Sequence, residues 1–480
     1  MPEPDGETPF AYYPLTHFDF MLRGSGITLG WLVESIIDEA KLERVLQSLV
    51  AKWPLLGGRL QCVTTEQGMY YRIRVPLSGS KPEGGRYIPF ALTSRDSEVP
   101  IENIVRIPLP SVSDSLPLSL FRDPSAPLDP RAWEEGGVPL MHWHLSFFRH
   151  NSGSGQFTCI GVTFPHVVFD GMGIASVVHA LEAESLGRPW SVSPTHLVPG
   201  DNENPFQAIL DELENPKRRL DHDELGEVEY HNISIVGPWF VLSYIMWHIW
   251  QSIWHGTQSR IVLVPAAVYE KLVDDARQAA ALHGLGDVRL STGDVLAAWL
   301  LKANTNPNRR ISLSNQMSLR ALLDLKNYPH NCFIPMPLPI FAVAELQHIE
   351  LHALAHTIAC SKSAVTTEHA IITNNRLKSL RSAKGSKSRH VWSIDARADE
   401  TLTMTNMSLG RLVDIDWTAV GGRKTVFRYK YLMTAASIPF SNMVTIAGRL
   451  NDGTVALEVV LNRKRMKALE DAVARESLQL

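Results

Sequence analysis

Hydrophobic and polar positions divide the chain into alternating strands and helices. Phe157 to Phe164 is a nearly continuous apolar run, the pattern of a strand buried on both faces. Leu140 to Phe148 alternates and predicts its antiparallel neighbour across an Asn151–Gly155 turn. After the first run the chain turns at Gly171, and Ile174 to Leu186 follows a helical pattern. Upstream, Leu42, Val45, Leu46, Leu49, Val50 and Trp53 recur at helical spacing behind a capping Asp38, and Pro54 ends that helix. Trp31 to Ile37 reads as extended, residues 69–107 as strands, 110–137 as a long connection, and 187–232 as a polar, Pro-rich linker. The second half opens with the aromatic-rich stretch 236–254. A strand at 260–264, a helix over 266–283, a helix opening at Ser291, a strand at 311–320 and a helix over 343–363 follow. Strands at 402–408, 425–430, 441–449 and 454–461, then a terminal helix, complete the pattern. This alternation, in two halves of similar size, predicts an α/β protein of two layers facing each other.

Composition narrows the partners. Of 480 residues, 45% are hydrophobic and 20% charged, which excludes wholesale disorder. A formal net charge of -4 argues against nucleic acid as a partner. Cys62, Cys159, Cys332 and Cys360 form no C-x-x-C pair and lie among apolar residues, so they read as buried hydrophobes in a reducing compartment. The acidic, Pro-rich start has no signal-peptide pattern, and a cytoplasmic location is expected. The 236–254 stretch is nearly long enough to span a bilayer but is interrupted by His248, Gln251 and Ser252. Burial against the second half, lining of a substrate channel, and contact with a membrane interface are its three readings. Arg376, Lys378, Arg381, Lys384, Lys387 and Arg389 cluster in a Ser-rich stretch that reads as an exposed loop.

The chemistry-bearing motif is His166-x-x-x-Asp170-Gly171, between the buried strand and its helix. A histidine there can act as a general base, since its ordinary pKa lies near neutrality. His142 and His144 share one strand face, a spacing that suits a metal, but no third ligand follows. Gly57-Gly58-Arg59 reads as a tight turn. Ser291-Thr292-Gly293-Asp294 reads as a helix cap whose free N–H groups could also receive an anion.

Taken with Leu15-Thr16-His17-Phe18-Asp19, Leu56-Gly57-Gly58-Arg59-Leu60, Ser291-Thr292-Gly293-Asp294 and Arg320 followed by Tyr328-Pro329-His330-Asn331, the motif resembles BAHD-type acyl-CoA-dependent acyltransferases. The likeness is to their fungal secondary-metabolite (trichothecene acetyltransferase-like) branch. It implies two chloramphenicol-acetyltransferase-like domains, each a mixed β-sheet flanked by helices, with an active-site channel between them. These would be residues 1–205 with the motif and 236–480, joined by a crossover at 206–235. It implies acyl-CoA, acetyl-CoA first, as co-substrate, with no bound cofactor and no metal. The acceptor would be a small hydrophobic terpenoid, polyketide or alkaloid, and a monomer is expected. His166 would take the acceptor's proton without a covalent enzyme intermediate. Asp170 would pair with Arg320 rather than steer the imidazole, with Gly171, Asn331 and Asp416 as structural support. Asn406, beside Thr405, would donate to the oxyanion, and Ser291 and Thr292 would meet the phosphates of CoA. One departure stands out: the family's Asp-Phe-Gly-Trp-Gly is replaced by Asp416-Trp417-Thr418-Ala419-Val420-Gly421-Gly422. The alternatives are a condensation-type domain with a carrier-bound donor, an inactive binding homologue, and a zinc hydrolase using His166 and Asp170. Condensation domains usually place a second histidine directly before the motif, where this chain has Pro165.

Overall fold

The computed structural model describes residues 10–478, apart from 67, 78–86, 128, 130, 136, 150–154, 216–228, 304–307, 383–389 and 435–439. Two large sheets dominate. The first runs, edge to edge, Ala91–Asp96, His142–Phe148, Phe157–Pro165, Ser25–Glu34 and Thr425–Thr434. Phe157–Pro165 is buried at every position, as its apolar run requires, and so is His142–Phe148, although its alternation predicts one exposed face. Helices Glu39–Lys52 and Gly171–Ser185 pack together in the core over this sheet.

The second sheet has eight strands. Its path is Phe333–Pro335, Arg310–Ser318, Glu400–Asn406, Met443–Arg449, Val455–Leu461, Gln258–Val264 and Val112–Asp114, with Ile340–Ala342 pairing off Arg310–Ser318. Helices Ala266–Leu282, Thr292–Lys302, Leu351–Ser363 and Arg463–Leu478 bury their apolar faces in its separate core.

Two strands cross between the halves. Val112–Asp114 adds to the second sheet by pairing with Gln258–Val264. Thr425–Thr434 adds to the first, paired along its length with Ser25–Glu34. Periodicity announces the second strand but not the first, and is silent on which sheet receives either.

Several expectations are corrected. The extended run begins earlier than Trp31 and ends at Glu34. The 110–137 connection contains the Val112–Asp114 strand and a short helix, Arg131–Glu134. The helix expected over 343–363 is two, Val343–Leu346 and Leu351–Ser363. The Lys302 ammonium takes the carbonyls of Leu346 and Ile349 at the break. Arg376 and Lys378 lie not on a loop but on helix Thr367–Ser382, where Arg376 donates to the Ile233 carbonyl at 2.8 Å. Lys384, Lys387, Arg389 and most of the expected charged linker lie outside the described residues.

The aromatic stretch forms helix Pro238–His255, and its orientation is the reverse of simple burial. Its two buried residues are the polar ones, His248 and Gln251. His248 accepts from the Ser441 N–H at 3.0 Å, and Gln251 accepts from Asn462 at 3.0 Å. Trp239 and Trp254 are 81% and 75% exposed, with Leu242, Met246, Trp250 and Ile253 along the same outward side. Among the described residues no helix is long and apolar enough to cross a membrane.

Candidate active site

His166 follows directly on the buried strand Phe157–Pro165 and is pinned by its own backbone. Its N–H donates to the Ser25 carbonyl at 2.9 Å, and its carbonyl accepts from the Asn331 side chain at 2.9 Å. Imidazole Nδ1 lies 2.9 Å from the Phe169 carbonyl. A carbonyl can only accept, so Nδ1 carries the proton and Nε2 keeps a lone pair. The ring, half-buried, lines a cavity of about 430 Å³ between the two sheets. Burial, and next the positive charge of Lys430, lower its pKa to about 4, so it is neutral at pH 7.

Asp170, four residues on, faces elsewhere. It caps helix Gly171–Ser185 by accepting from the Gly173 N–H at 2.8 Å. Arg320 reaches across from the second half and donates from Nη1 to Oδ2 at 2.9 Å and from Nη2 to Oδ1 at 2.8 Å. The Cys332 N–H adds a contact at 3.2 Å. Both side chains of the ion pair are under 10% exposed. Arg320 also donates to the carbonyls of Tyr328 and His330. The motif aspartate thus locks the loop around His166 to the turn at residues 328–332, and its bonds are spent before any could reach the imidazole.

Asn331 extends that lock. Besides holding the His166 carbonyl, its backbone and side-chain N–H groups both donate to Asp19 at 2.9 Å. Asp19 is fully buried, and burial raises its pKa to about 7 against the donors around it. One glycine here is required by the backbone facing it, and a second sits against a flexible side chain. A Cβ on Gly173 would lie 1.7 Å from the Pro329 carbonyl oxygen, and one on Gly171 would lie 2.3 Å from the Met407 sulfur.

Asn406 ends the strand Glu400–Asn406 and, with Thr405, lines the same cavity. Its side-chain oxygen accepts from the Ser408 N–H at 3.0 Å, while Nδ2 lies near Gly293 at the start of helix Thr292–Lys302. Ser291 caps that helix, its N–H and hydroxyl donating to Asp294. Lys362 neutralises Asp294 at 2.6 Å and also reaches the Ser291 hydroxyl. The helix start therefore sits beside Asn406, with the Ser291 hydroxyl already engaged.

Asp416 lies apart from the cavity. Its carboxylate holds Thr418 through two hydrogen bonds, and its N–H donates to Glu182. Trp417 packs edge-on against Trp31, and Gly421 takes a φ of +98°. The altered stretch is thus a packed corner beneath the first sheet. His142 and His144 are buried within that sheet, His144 paired with Thr93 at 2.8 Å. Lys430, which lines the cavity with His166, was missed. A lone cation in Tyr429-Lys430-Tyr431 reads as a solvent-facing position, and only the crossing of its strand turns it inward.

No family model matches the chain. An O-acetyltransferase of Phomopsis amygdali, PaAT-2, is 22% identical over 72% of this chain and 72% of its own length. The O-acyltransferase pboC of Aspergillus ustus is 23% identical over 65% of each. TRI101 of F. sporotrichioides, solved with coenzyme A and T-2, superposes with a TM-score of 0.60 at 14% identity, over 95% of this chain and 96% of that one. The first condensation domain of the calcium-dependent antibiotic synthetase gives a TM-score of 0.53 at 16% identity, over 95% and 91%. The fold is the two-domain chloramphenicol-acetyltransferase-like architecture, and these two sequence relatives are named as O-acetyl- and O-acyltransferases.

Proposed function

We propose that the protein transfers an acyl group, acetyl in the first instance, from acyl-CoA to a hydroxyl of a small apolar metabolite such as a terpenoid, polyketide or alkaloid. The observation that carries this reading is the unprotonated Nε2 of His166 in a cavity between two sheets, with Nδ1 committed to a carbonyl. As the acceptor oxygen bonds to the thioester carbon, Nε2 takes its proton. The C–S bond then breaks, and the imidazolium returns the proton to the leaving thiolate. No covalent enzyme intermediate forms, and holding both substrates in line supplies much of the rate. Asn406 Nδ2 is offered as the donor to the tetrahedral oxyanion. The start of helix Thr292–Lys302, beside Asn406, is the proposed approach for the phosphates of CoA through Thr292 and the free N–H groups. Asp170, Gly171, Arg320 and Asn331 hold the histidine's loop, and Asp416 a more distant corner.

The working division is an N-terminal domain, 1–205, a crossover, 206–235, and a C-terminal domain, 236–480, acting as a monomer. Peripheral membrane contact through the outward face of helix Pro238–His255 fits an apolar acceptor. Two relatives named as O-acetyl- and O-acyltransferases, and a fold shared with a protein solved with coenzyme A, support a CoA donor. The decisive experiment is incubation with acetyl-CoA and a panel of hydroxylated apolar metabolites, following free thiol, with His166→Ala alongside. Turnover by the wild type and its loss in the variant is expected, and equal turnover would overturn the assignment.

A further inference from the structure

Lys430 stands out among the residues facing the cavity. Its strand is the edge of the first sheet, paired through Leu29 to Ser25–Glu34. Phe427 and Tyr429 point into the apolar core on one side, so Arg428, Lys430 and Leu432 share the other. Arg428 is wholly buried, with Glu458 on its Nη2 at 3.0 Å, while its Nε and Nη1 have no partner. Among the described residues, no acidic oxygen lies within 4.0 Å of the Lys430 ammonium and no hydrogen bond to it is formed.

The charged or titratable side chains lining the cavity are His166, Asp170, Arg320, Lys430 and Tyr244. Asp170 and Arg320 cancel one another, and His166 and Tyr244 are neutral at pH 7. Beside it, Glu458 matches the charge of buried Arg428. One positive charge is left over, at Lys430, in a cavity lined by apolar residues such as Ile27, Leu29, Phe164 and Leu432 and by uncharged polar ones such as Gln316 and Thr405. A cation held in such surroundings is costly unless a counter-ion meets it.

We propose that Lys430 is an anion subsite within the acceptor pocket: its ammonium takes a carboxylate carried by the apolar acceptor, so the preferred acceptor is a hydroxy acid rather than a neutral alcohol. This rests on the acyl-transfer reading and narrows its substrate class. A ground-state anion fits better than a donor to the oxyanion alone. The positive charge of Lys430 weakens the neighbouring imidazole as a base. A bound carboxylate cancels that charge before proton transfer starts, whereas the oxyanion arises only as the proton leaves.

The test uses the full chain with ω-hydroxydecanoate and its methyl ester, by calorimetric titration without acyl-CoA and then by thiol release with acetyl-CoA. The acid is expected to bind about 10- to 100-fold more tightly than the ester, the range for a charge-assisted contact. Lys430→Met should remove that difference and leave ester binding unchanged, and Lys430→Arg should keep it. Equal titration of the two probes by the wild type, including no heat from either, overturns the subsite and does not depend on any variant folding. A Lys430→Met loss confined to kcat, equal for acid and ester, also overturns it, because it places the lysine on the transition state. If the binding preference holds but neither probe is acylated by any acyl-CoA, the subsite stands and the acyl-transfer reading falls.

Discussion

Arg320 clasps Asp170 through two hydrogen bonds of 2.8 and 2.9 Å, joining the first residue of one helix cap to a turn that lies 150 residues later in the chain. Removing one partner would leave the other charged and buried, which costs about 3–5 kcal/mol. Asp170→Asn and Arg320→Met are each expected to lower stability by that order in urea denaturation. The double variant should recover part of the loss, because no unpaired charge remains.

His166→Ala should behave differently. The imidazole makes one hydrogen bond, to Phe169, while backbone groups hold the residue in place. Turnover is expected to fall about 100- to 10,000-fold, as for loss of a general base. The urea midpoint should move little, a separation that a purely structural histidine would not give.

The pH profile follows from the lowered histidine. The active form is the free base, present above a pKa of about 4 and lost as pH falls through it. The acid limb of kcat/KM is therefore expected near pH 4 rather than 6.5, and Lys430→Met should move it upward. Stability runs the same way. Below 6.5 the unfolded chain gains a proton that folded His166 refuses, so its contribution declines from there toward pH 4. His142, His144, His248 and His330, each lowered to about 4 by burial, add to this acid destabilisation. Asp19, raised to about 7, opposes it between its ordinary value and 7.

Gly171→Ala would drive a methyl into Met407 and displace the loop bearing His166. A loss of about 1–3 kcal/mol, the usual range for overpacking, is expected with a matching fall in activity. Met407→Ala in the same chain should restore much of both, because the obstacle is the end of one flexible side chain.

Trp239 and Trp254, at opposite ends of one outward helix face, should carry the protein into liposome fractions in flotation. Replacing both with Ser should return it to the unbound fraction without changing activity on a water-soluble acceptor. Wild-type protein left wholly in the unbound fraction would end the membrane reading.

Local patterns in the sequence carried the elements and the place of His166. A nearly continuous apolar strand such as Phe157–Pro165 has few alternatives, and a cap such as Asp170 marks its own helix. Long-range pairing was less legible. Lys430 looks like a solvent-facing residue until its strand is seen to cross to the first sheet. His248 and Gln251 look like interruptions of an apolar helix until each is seen hydrogen-bonded beneath it. In both cases the deciding partner lies far away in sequence, where periodicity holds no information.

The crossing of Thr425–Thr434 bears on how substrates come and go. Nine of its ten residues are paired along Ser25–Glu34, while the neighbours before and after it in the chain belong to the second sheet. Swinging the halves apart would tear a row of backbone hydrogen bonds, so the two sheets are held as one body and not as a hinged clamp. On the proposed acyl-transfer reading, reactants and product would then pass through the mouths of the His166 cavity without the halves parting. Turnover should therefore be sensitive to the width of the mouths, where a single larger side chain can slow release without touching the chemistry.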